Sequence, residues 1–327
     1  MSFSIRGGRG YAWALRLTLS IALAAGCLPS ARAGAAVAEL SVQSGALPMI
    51  TIHSSDGTIT IGSGEGDVVR LTSGSGSVAA NLSRFVVSPA GDGRVMLPRT
   101  QLRRPTNKGW RDMKLPARNF AIPGLRDGSD GITVDNPGGD MTVQVPRRVG
   151  AVFVNAGKGS VVLERLRGAY VVVSGGGDVR LRNVVGRGLI RTLDGTVSLT
   201  GVGGNVQVET AAGRVVARGM NAARADVRSQ GGDIDWRFGR MGAGAYRFRT
   251  GSGDVRIRLP AGAGADVDAQ SNFGRVVNDV GVDAARVQVR YATPRALSMS
   301  VAGGGPEITV MSRRGTVTVS AAAGAQP

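Results

Sequence analysis

The chain has little of what most globular proteins use to build a core. Among its 327 residues there is one cysteine, Cys27, one histidine, His53, and aromatic residues make up 4%. No window shows the 3.6-residue apolar period of an amphipathic helix. These absences argue against a compact core built on aromatic side chains or on packed helices. Few aromatics with many small residues favour thin, repetitive layers.

Lysine is nearly absent as well, because it supplies three of the 40 basic residues and arginine supplies the rest. Against 23 acidic residues, this gives a net charge of +17. Such an excess favours anionic partners. An arginine-biased base composition would produce the same excess, so charge alone identifies no ligand.

Residues 1–33 have the layout of an export signal. Arg6 and Arg9 give a positive start, an apolar run extends from Leu17 to Leu28, and Ala31-Arg32-Ala33 is a small-x-small cleavage pattern. The run is too short to span a bilayer as a stable helix. The alternatives are lipidation at Cys27, within "LAAGC", and a buried N-terminal helix.

Cleavage after Ala33 would remove the cysteine and four arginines, which lowers the net charge from +17 to +13. The mature chain would then have no disulfide, no thiolate chemistry and no transmembrane span. Nucleic acid is not expected as a partner of an exported protein. The expected partners are an acidic glycan, lipopolysaccharide or another envelope polyanion, met in the periplasm, at the outer membrane or on the cell surface.

Glycine is abundant, with 51 residues, and it marks a repeat of 18–21 residues between Gly139 and Phe273. The third and fifth residues of each unit are apolar, a period of two that predicts a strand with one buried face. A second strand follows in the unit, for example "AYVVVS" from Ala169, after a bend. The units begin at Gly139, Gly159, Gly177, Gly195, Gly213, Gly232, Gly253 and Gly274.

Units of this kind predict an all-β fold, namely a single-chain parallel β-solenoid with coils of about 18–21 residues. Each strand is expected to pair in parallel with the same strand of the next coil. One coil buries too few apolar side chains to offset its loss of backbone entropy, so coils must stack and the end coils need caps.

We divide the chain into a signal peptide (1–33), N-terminal strands and early coils (34–97), a basic loop insertion (98–127), β-solenoid repeats with a C-terminal cap (128–321) and a tail (322–327). Early coils are expected at "DGTITI", "GDVVRL", "GSVAANL" and "GRVMLP", and an unstructured stretch from Gly34 to about Ala46. The segment "ALSMSVAGGGPEITVMSRRGTVTVS" predicts three more strands and the cap.

Three segments carry a family resemblance: "SGGGDVRLRNV", "TGSGDVRIRLPAGAGADVDAQSNFGRVVND" and "GGGPEITVMSRRGTVTVS". They resemble the bacterial putative-adhesin family of exported β-solenoid domains, over roughly Gly139 to Ser320. The resemblance implies a signal peptide, a parallel β-solenoid and no assigned activity, and the family has no catalytic motif to carry over. Its name suggests adhesion.

The first candidate site is the segment Pro98–Arg126, which interrupts the repeat. It contains many basic residues but a single acidic one, Asp112, and the basic residues are interspersed with Trp110 and Phe120. Basic residues beside aromatic ones suit a sugar phosphate or an acidic glycan. A solvated loop between coils is the alternative. The candidate ligand-binding residues are Arg103, Arg104, Lys108, Trp110, Arg111 and Lys114.

The second candidate site is the outward sixth position of the units, where arginines recur. Stacked coils place such residues about 4.8 Å apart. Neighbouring like charges then repel by about 0.9 kcal/mol in water, a cost that an anionic ligand would remove. The alternative is that the charged heads splay apart and their stems cover apolar surface. The candidate residues are Arg182, Arg218, Arg237 and Arg258.

Catalytic residues, metals and cofactors are not indicated. Aspartates at the second position suggest calcium-binding β-rolls, but their offset differs and the repeat is twice too long, so turn capping is the better reading. No carboxylate pair stands out for glycan cleavage, and His53 has no obvious partner. We therefore expect a non-enzymatic binding or structural surface. A polysaccharide-degrading β-helix enzyme is the alternative. The aspartates are Asp140, Asp178, Asp233 and Asp254.

Overall fold

The computed structural model describes residues 18–20, 38–43, 48–74, 79–84, 94–97, 100–106, 109–115, 118–121, 130–136, 138–281 and 287–322. Within these ranges the regular elements are strands and none is a helix, which confirms the all-β expectation. The strands are β1 (Thr18–Ser20), β2 (Ala38–Gln43), β3 (Met49–Ser54), β4 (Thr58–Ser63), β5 (Val68–Ser73), β6 (Ala79–Arg84), β7 (Arg94–Leu97), β8 (Thr100–Thr106), β9 (Gly109–Leu115), β10 (Arg118–Ala121), β11 (Asp130–Asn136), β12 (Met141–Val145), β13 (Arg148–Ala156), β14 (Ser160–Glu164), β15 (Arg167–Ser174), β16 (Val179–Arg182), β17 (Val185–Thr192), β18 (Val197–Thr200), β19 (Gly203–Thr210), β20 (Val215–Ser229), β21 (Ile234–Phe238), β22 (Tyr246–Thr250), β23 (Val255–Leu259), β24 (Ala265–Ser271), β25 (Val276–Asp279), β26 (Val287–Thr293), β27 (Ala296–Val301), β28 (Glu307–Ser312) and β29 (Val317–Ala321).

Most strands belong to two sheets that share one core. Sheet A has the order β1-β2-β5-β12-β4-β14-β16-β18-β20-β21-β23-β29-β25. Sheet B has the order β6-β11-β3-β13-β15-β17-β19-β20-β22-β28-β24-β27-β26. The long strand β20 belongs to both. Pairing is parallel except at the outer strands, so the expected parallel stacking is confirmed in its main feature.

Each coil places one strand in sheet B and the next strand in sheet A, and the alternating apolar side chains of both strands point into the shared core. The stack does not follow the order of the chain, however. Coil 49–63 lies between coils 130–145 and 148–164, because β4 pairs with both β12 and β14. The prediction that the units beginning at Gly139 and Gly159 are neighbours is therefore wrong.

The same interleaving occurs at the other end of the stack. Strand β29 pairs with β23 and with β25, so coil 307–321 lies between coils 246–259 and 265–279. The last strands of the chain thus form an inner coil and not the predicted C-terminal cap. The antiparallel strands β27 and β26 end sheet B beyond β24.

A column of glycines runs along the stack at the start of the sheet A strands. A Cβ atom on Gly159 would collide with the carbonyl oxygen of Gly57, and one on Gly177 with that of Gly159. The column continues in the order of the coils and not in the order of the chain. Glycine recurs in the sequence because neighbouring coils approach too closely there for any side chain. The column is Gly139, Gly57, Gly159, Gly177, Gly195, Gly213, Gly232, Gly253, Gly315 and Gly274.

Three of the four predicted early coils have a different structure. Only "DGTITI", in β4, is part of a coil. Strand β5 turns back antiparallel to β12, β6 is antiparallel to β11, and β7 pairs with β10 outside both sheets. Strand β2 lies within the stretch expected to be unstructured, and β1 lies within the predicted signal peptide.

The predicted basic loop insertion contains regular structure. Strand β8 pairs antiparallel with β9 through Thr106 and Gly109, and β10 pairs antiparallel with β7. These pairs are nested inside the antiparallel pair of β6 and β11. The described strands between β6 and β11 therefore form two antiparallel pairs outside sheets A and B.

Sheet B is buried on both faces over part of its length. A second apolar cluster lies opposite the main core on β3, β13, β15 and β17, where the strand alternation alone would place polar residues. Arg191 and Glu209, on β17 and β19, are also buried on this outer face. The cluster consists of Met49, Ala151, Phe153, Ala169, Val171 and Leu189.

Candidate functional site

The arginines predicted to form a ladder lie on the outward face of sheet A and are exposed. Arg182 is opposite Thr200, which is opposite Arg218. Arg237 is opposite Arg258, but a register shift after Ala217 separates this pair from Arg218. The ladder is therefore broken into short groups instead of forming one continuous stripe.

Acidic neighbours also neutralise part of this face. Arg182 lies 3.5 Å from the carboxylate of Glu164 on the adjacent strand. Arg180 and Arg256 each bind an aspartate of their own coil, at 2.6 Å and 3.3 Å. These exposed pairs contribute little to stability, but they lower the positive potential along the face.

For the candidate residues of the insertion, the structure gives the strand and the backbone register. Arg103 and Arg104 lie in β8, opposite Asp112 and Arg111 of β9, and Trp110 is opposite Pro105. Lys114 is opposite Gln101, whereas Lys108 lies outside the described residues.

A groove of about 850 Å³ lies at the corner where sheet A strands end and the chain crosses to sheet B. Its described lining includes four arginines and one carboxylate, that of Glu65. The other described residues are uncharged, among them Ser63, Gln144 and Asn183. These arginines, which belong to neither candidate site predicted from the sequence, are Arg70, Arg147, Arg165 and Arg167.

The interleaved coil explains why a groove forms there. Coil 49–63 does not cross to sheet B after Ser63, because the chain turns back into β5 beside β12. In sheet A, β12 lies on one side of coil 49–63, and in sheet B, β13 lies on its other side, between β3 and β15. The link from β12 to β13 must therefore run past the end of coil 49–63. Arg147 lies in that link, and Arg167, whose N–H donates to the Arg147 carbonyl at 3.0 Å, starts the next coil.

The four groove arginines are exposed, and none of them forms an ion pair with another described residue. Arg70 is opposite Gln144, and Gln144 is opposite Gly62, which is itself beside Glu164. Arg70 therefore extends the row of sixth-position residues to the edge of the groove. With one glutamate against four arginines, the described lining carries a net positive charge.

Arg165 has a backbone conformation that arginine rarely adopts. Its φ is 54°, in the left-handed region, and the residues at the same corner of the next coils are also left-handed: Asn183 at 52°, Gly201 at 63° and Gly219 at 60°. Asparagine and glycine tolerate this region, whereas a long side chain is strained there. Strain retained at a groove is a reason to look for a function.

The repeated aspartates have a structural role. The Asp178 carboxylate accepts a hydrogen bond from the Thr196 N–H of the next coil at 2.9 Å, and Asp140, Asp233 and Asp254 accept equivalent bonds. The turn-capping interpretation is confirmed. No cluster of three or more histidine, cysteine, aspartate or glutamate side chains suited to a metal occurs among the residues that the structure describes.

A smaller hollow of about 330 Å³ lies at the opposite corner, where sheet B strands end. His53 lines it between Asp135 and Asn155, which flank it on the adjacent strands β11 and β13. Within the described part of the chain, no side-chain hydrogen bond or ion pair joins His53 to these two residues, so its lack of an obvious partner stays a prediction. All three side chains are exposed.

Comparison with known proteins places this fold in a family. Residues 95–320 match the Toastrack DUF4097 family, and the chain belongs to it. The family resemblance seen in the sequence is thereby confirmed, and the match begins earlier than Gly139 and includes the antiparallel insertion. No curated protein matches the chain. Within the described ranges, no helix has the length and apolar character needed to cross a membrane.

One solved structure matches, that of a "putative cell adhesion protein" from Clostridium sporogenes. The two sequences are 9% identical, and the match covers 84% of this chain and 93% of that chain, with a TM-score of 0.26. A TM-score this low supports no conclusion about this protein.

Proposed function

We propose that this protein is an exported, non-enzymatic component of the cell envelope that binds anionic ligands, and that its binding site is the corner groove. The observation that carries the proposal is the groove lining, in which four exposed arginines without ion-pair partners among the described residues face one glutamate. Unpaired arginines lose less on binding an anion than arginines already held by carboxylates.

Residues 1–33 support the proposed export, because they combine a positive start, an apolar run and a small-x-small cleavage pattern. An exported basic groove would meet acidic glycans, lipopolysaccharide or other envelope polyanions on the periplasmic or outer side. Binding of this kind would be adhesin-like, in keeping with a Toastrack domain.

Binding is favoured over catalysis by the composition of the groove. Glycan hydrolysis generally uses two carboxyl groups on either side of the scissile bond. The described lining supplies one, Glu65. Turnover of any acidic polysaccharide by the purified protein would contradict the non-enzymatic part of the proposal.

The test compares two variants that each remove three positive charges. In the first, Arg147, Arg165 and Arg167 become serine, and in the second, Arg218, Arg237 and Arg258 become serine. Retention of the purified chain on immobilised heparin and lipopolysaccharide is measured over a salt gradient. We expect the groove variant to elute at lower salt than the ladder variant.

Equal losses in the two variants would mean that only the overall charge matters, and unchanged retention of the groove variant would exclude the groove. A larger loss in the ladder variant would move the site to the outward face of sheet A. Circular dichroism of both variants checks that the strands are intact.

A further inference from the structure

The charge in the groove is concentrated at one end. Arg147, Arg165 and Arg167 lie close together, because the Arg167 N–H donates to the Arg147 carbonyl and Arg165 is two residues from Arg167. Arg70, on β5, lies farther out and is separated from β14 by β12 and β4. The other end is lined by Asn183, Val185 and Gly201. Val185 is 45% exposed, so this end is neutral and partly apolar. A long polyanion would bind better to charges that are spaced evenly along the groove. This distribution instead fits a ligand with one compact anionic group.

The hydrogen-bonding groups at the charged end match an oxygen-rich dianion. Guanidinium groups bind phosphate oxygens through paired, charge-assisted hydrogen bonds. The Ser63 hydroxyl and the Gln144 amide line the same end and supply neutral donors. A phosphomonoester carries close to two negative charges at neutral pH and has three strong acceptor oxygens.

We propose that the charged end of the groove binds a phosphomonoester, and that Arg165 is its anchoring residue; this rests on the proposed function above. Arg165 occupies a left-handed corner position at which the next coils have asparagine or glycine. Asparagine or glycine would adopt this backbone with less strain than arginine does. We therefore attribute the arginine at this position to its guanidinium group, which the fold itself does not require. The remainder of the ligand, a sugar or a lipid, extends along Asn183 and Val185.

The experiment is titration calorimetry of the purified full chain with glucose 6-phosphate, with glucose, and with inorganic phosphate. We expect glucose 6-phosphate to bind and glucose not to bind. Binding should weaken as pH falls below about 6, where a phosphomonoester takes up its second proton. Vesicles of phosphatidic acid, a phosphomonoester, test a lipid source of the phosphate and are compared with soluble glucose 6-phosphate. Vesicles of phosphatidylglycerol, a diester, are the control.

Two glycine variants separate binding from folding. Both Arg165→Gly and Ala302→Gly replace a left-handed residue, with φ of 54° and 47°, but only Arg165 carries a charge and lines the groove. We expect Arg165→Gly to lower the affinity for glucose 6-phosphate by about tenfold or more, the loss of a charge-assisted contact. Ala302→Gly should leave the affinity within about twofold. Neither variant should lower the melting temperature.

The outcomes distinguish this inference from the proposed function. Retention on heparin without any affinity for phosphomonoesters would leave the proposed function standing and overturn the inference. Failure to bind either class would overturn both. If Arg165→Gly binds glucose 6-phosphate normally, or unfolds at a clearly lower temperature than Ala302→Gly, Arg165 is not the anchor.

Discussion

The carbonyl oxygen of Gly57 lies where the Cβ atom of a side chain on Gly159 would have to lie, although these two glycines are far apart in the chain. The same relation holds between Gly159 and Gly177, and between Gly177 and Gly195. The repeat glycines therefore mark positions where neighbouring coils touch backbone to backbone. Their spacing in the sequence follows from the length of a coil.

Replacing a glycine of the column by alanine should destabilise the fold, whereas the glycine that precedes it in the same turn should tolerate alanine. A Cβ atom on Gly177 would meet backbone atoms of Gly159 and Lys158, but one on Gly176 meets nothing within 4 Å. We expect Gly177→Ala to lower the free energy of unfolding by roughly 3 kcal/mol and Gly176→Ala to change it by less than about 0.5 kcal/mol. Urea unfolding followed by circular dichroism measures both, and equal effects would contradict the glycine column.

The interleaved order of coils can be tested with engineered cysteine pairs in a Cys27→Ser background. Thr60 is opposite Val162 in β4 and β14, and adjacent strands lie at about the Cα separation that a disulfide spans. Thr142 and Val162 would be neighbours only if coils stacked in chain order, but β4 lies between them. We expect the Thr60→Cys/Val162→Cys pair to oxidise to a disulfide and the Thr142→Cys/Val162→Cys pair to remain reduced. Mass spectrometry after non-reducing digestion reads out both, and the reverse result would restore chain-order stacking.

The strands were predictable because each depends on a local pattern. Apolar residues at the third and fifth positions, such as Val179 and Leu181, are buried wherever the unit occurs. The stacking order was not predictable, since every coil presents the same alternation and can therefore pair in parallel with any other. Nothing local to "DGTITI" indicates that its coil inserts between two later ones.

The groove depends on that stacking order, which is why the sequence analysis missed it. Arg70 lies beside Gln144 only because β5 turns back along β12. Arg165 was the one member that the sequence could have indicated. It falls at the corner where the following units have Asn183, Gly201 and Gly219, residue types that favour left-handed backbone.

Arg191 and Glu209 form an ion pair on the buried outer face of sheet B. The Arg191 Nε and Glu209 Oε2 atoms are 3.2 Å apart, with the side chains 0% and 4% exposed. Removing one member leaves a buried charge, so Arg191→Met or Glu209→Met alone should cost about 3–5 kcal/mol. Replacing both residues by methionine should cost less, because no charge is then left unpaired. A double-mutant cycle by urea unfolding tests this, and a double variant as unstable as the sum of the single variants would contradict the pairing.

Asp266, near the end of sheet B, should make stability depend on pH in the acid range. The Ser300 hydroxyl donates to its carboxylate at 2.5 Å, the Gly305 N–H donates at 3.1 Å, and Arg290 lies 3.5 Å away. The Ser300 hydrogen bond, followed by the Gly305 N–H and the Arg290 charge, holds the pKa of Asp266 below its usual value. Asp268 is the other carboxylate facing Arg290, at 3.9 Å.

Because the folded-state pKa of Asp266 is depressed, its contribution to stability is fully present above the unfolded-state pKa of about 3.9 and is lost as pH falls through the folded-state value. We expect Asp266→Asn to be less stable than the wild type at pH 7 and this difference to shrink at pH 3. Ser300→Ala should move the pKa of Asp266 back towards its usual value, measured by NMR titration of the carboxyl carbon. A stability difference between wild type and Asp266→Asn that is the same at pH 7 and pH 3 would contradict the assignment, since only a titrating carboxylate makes that difference change with pH.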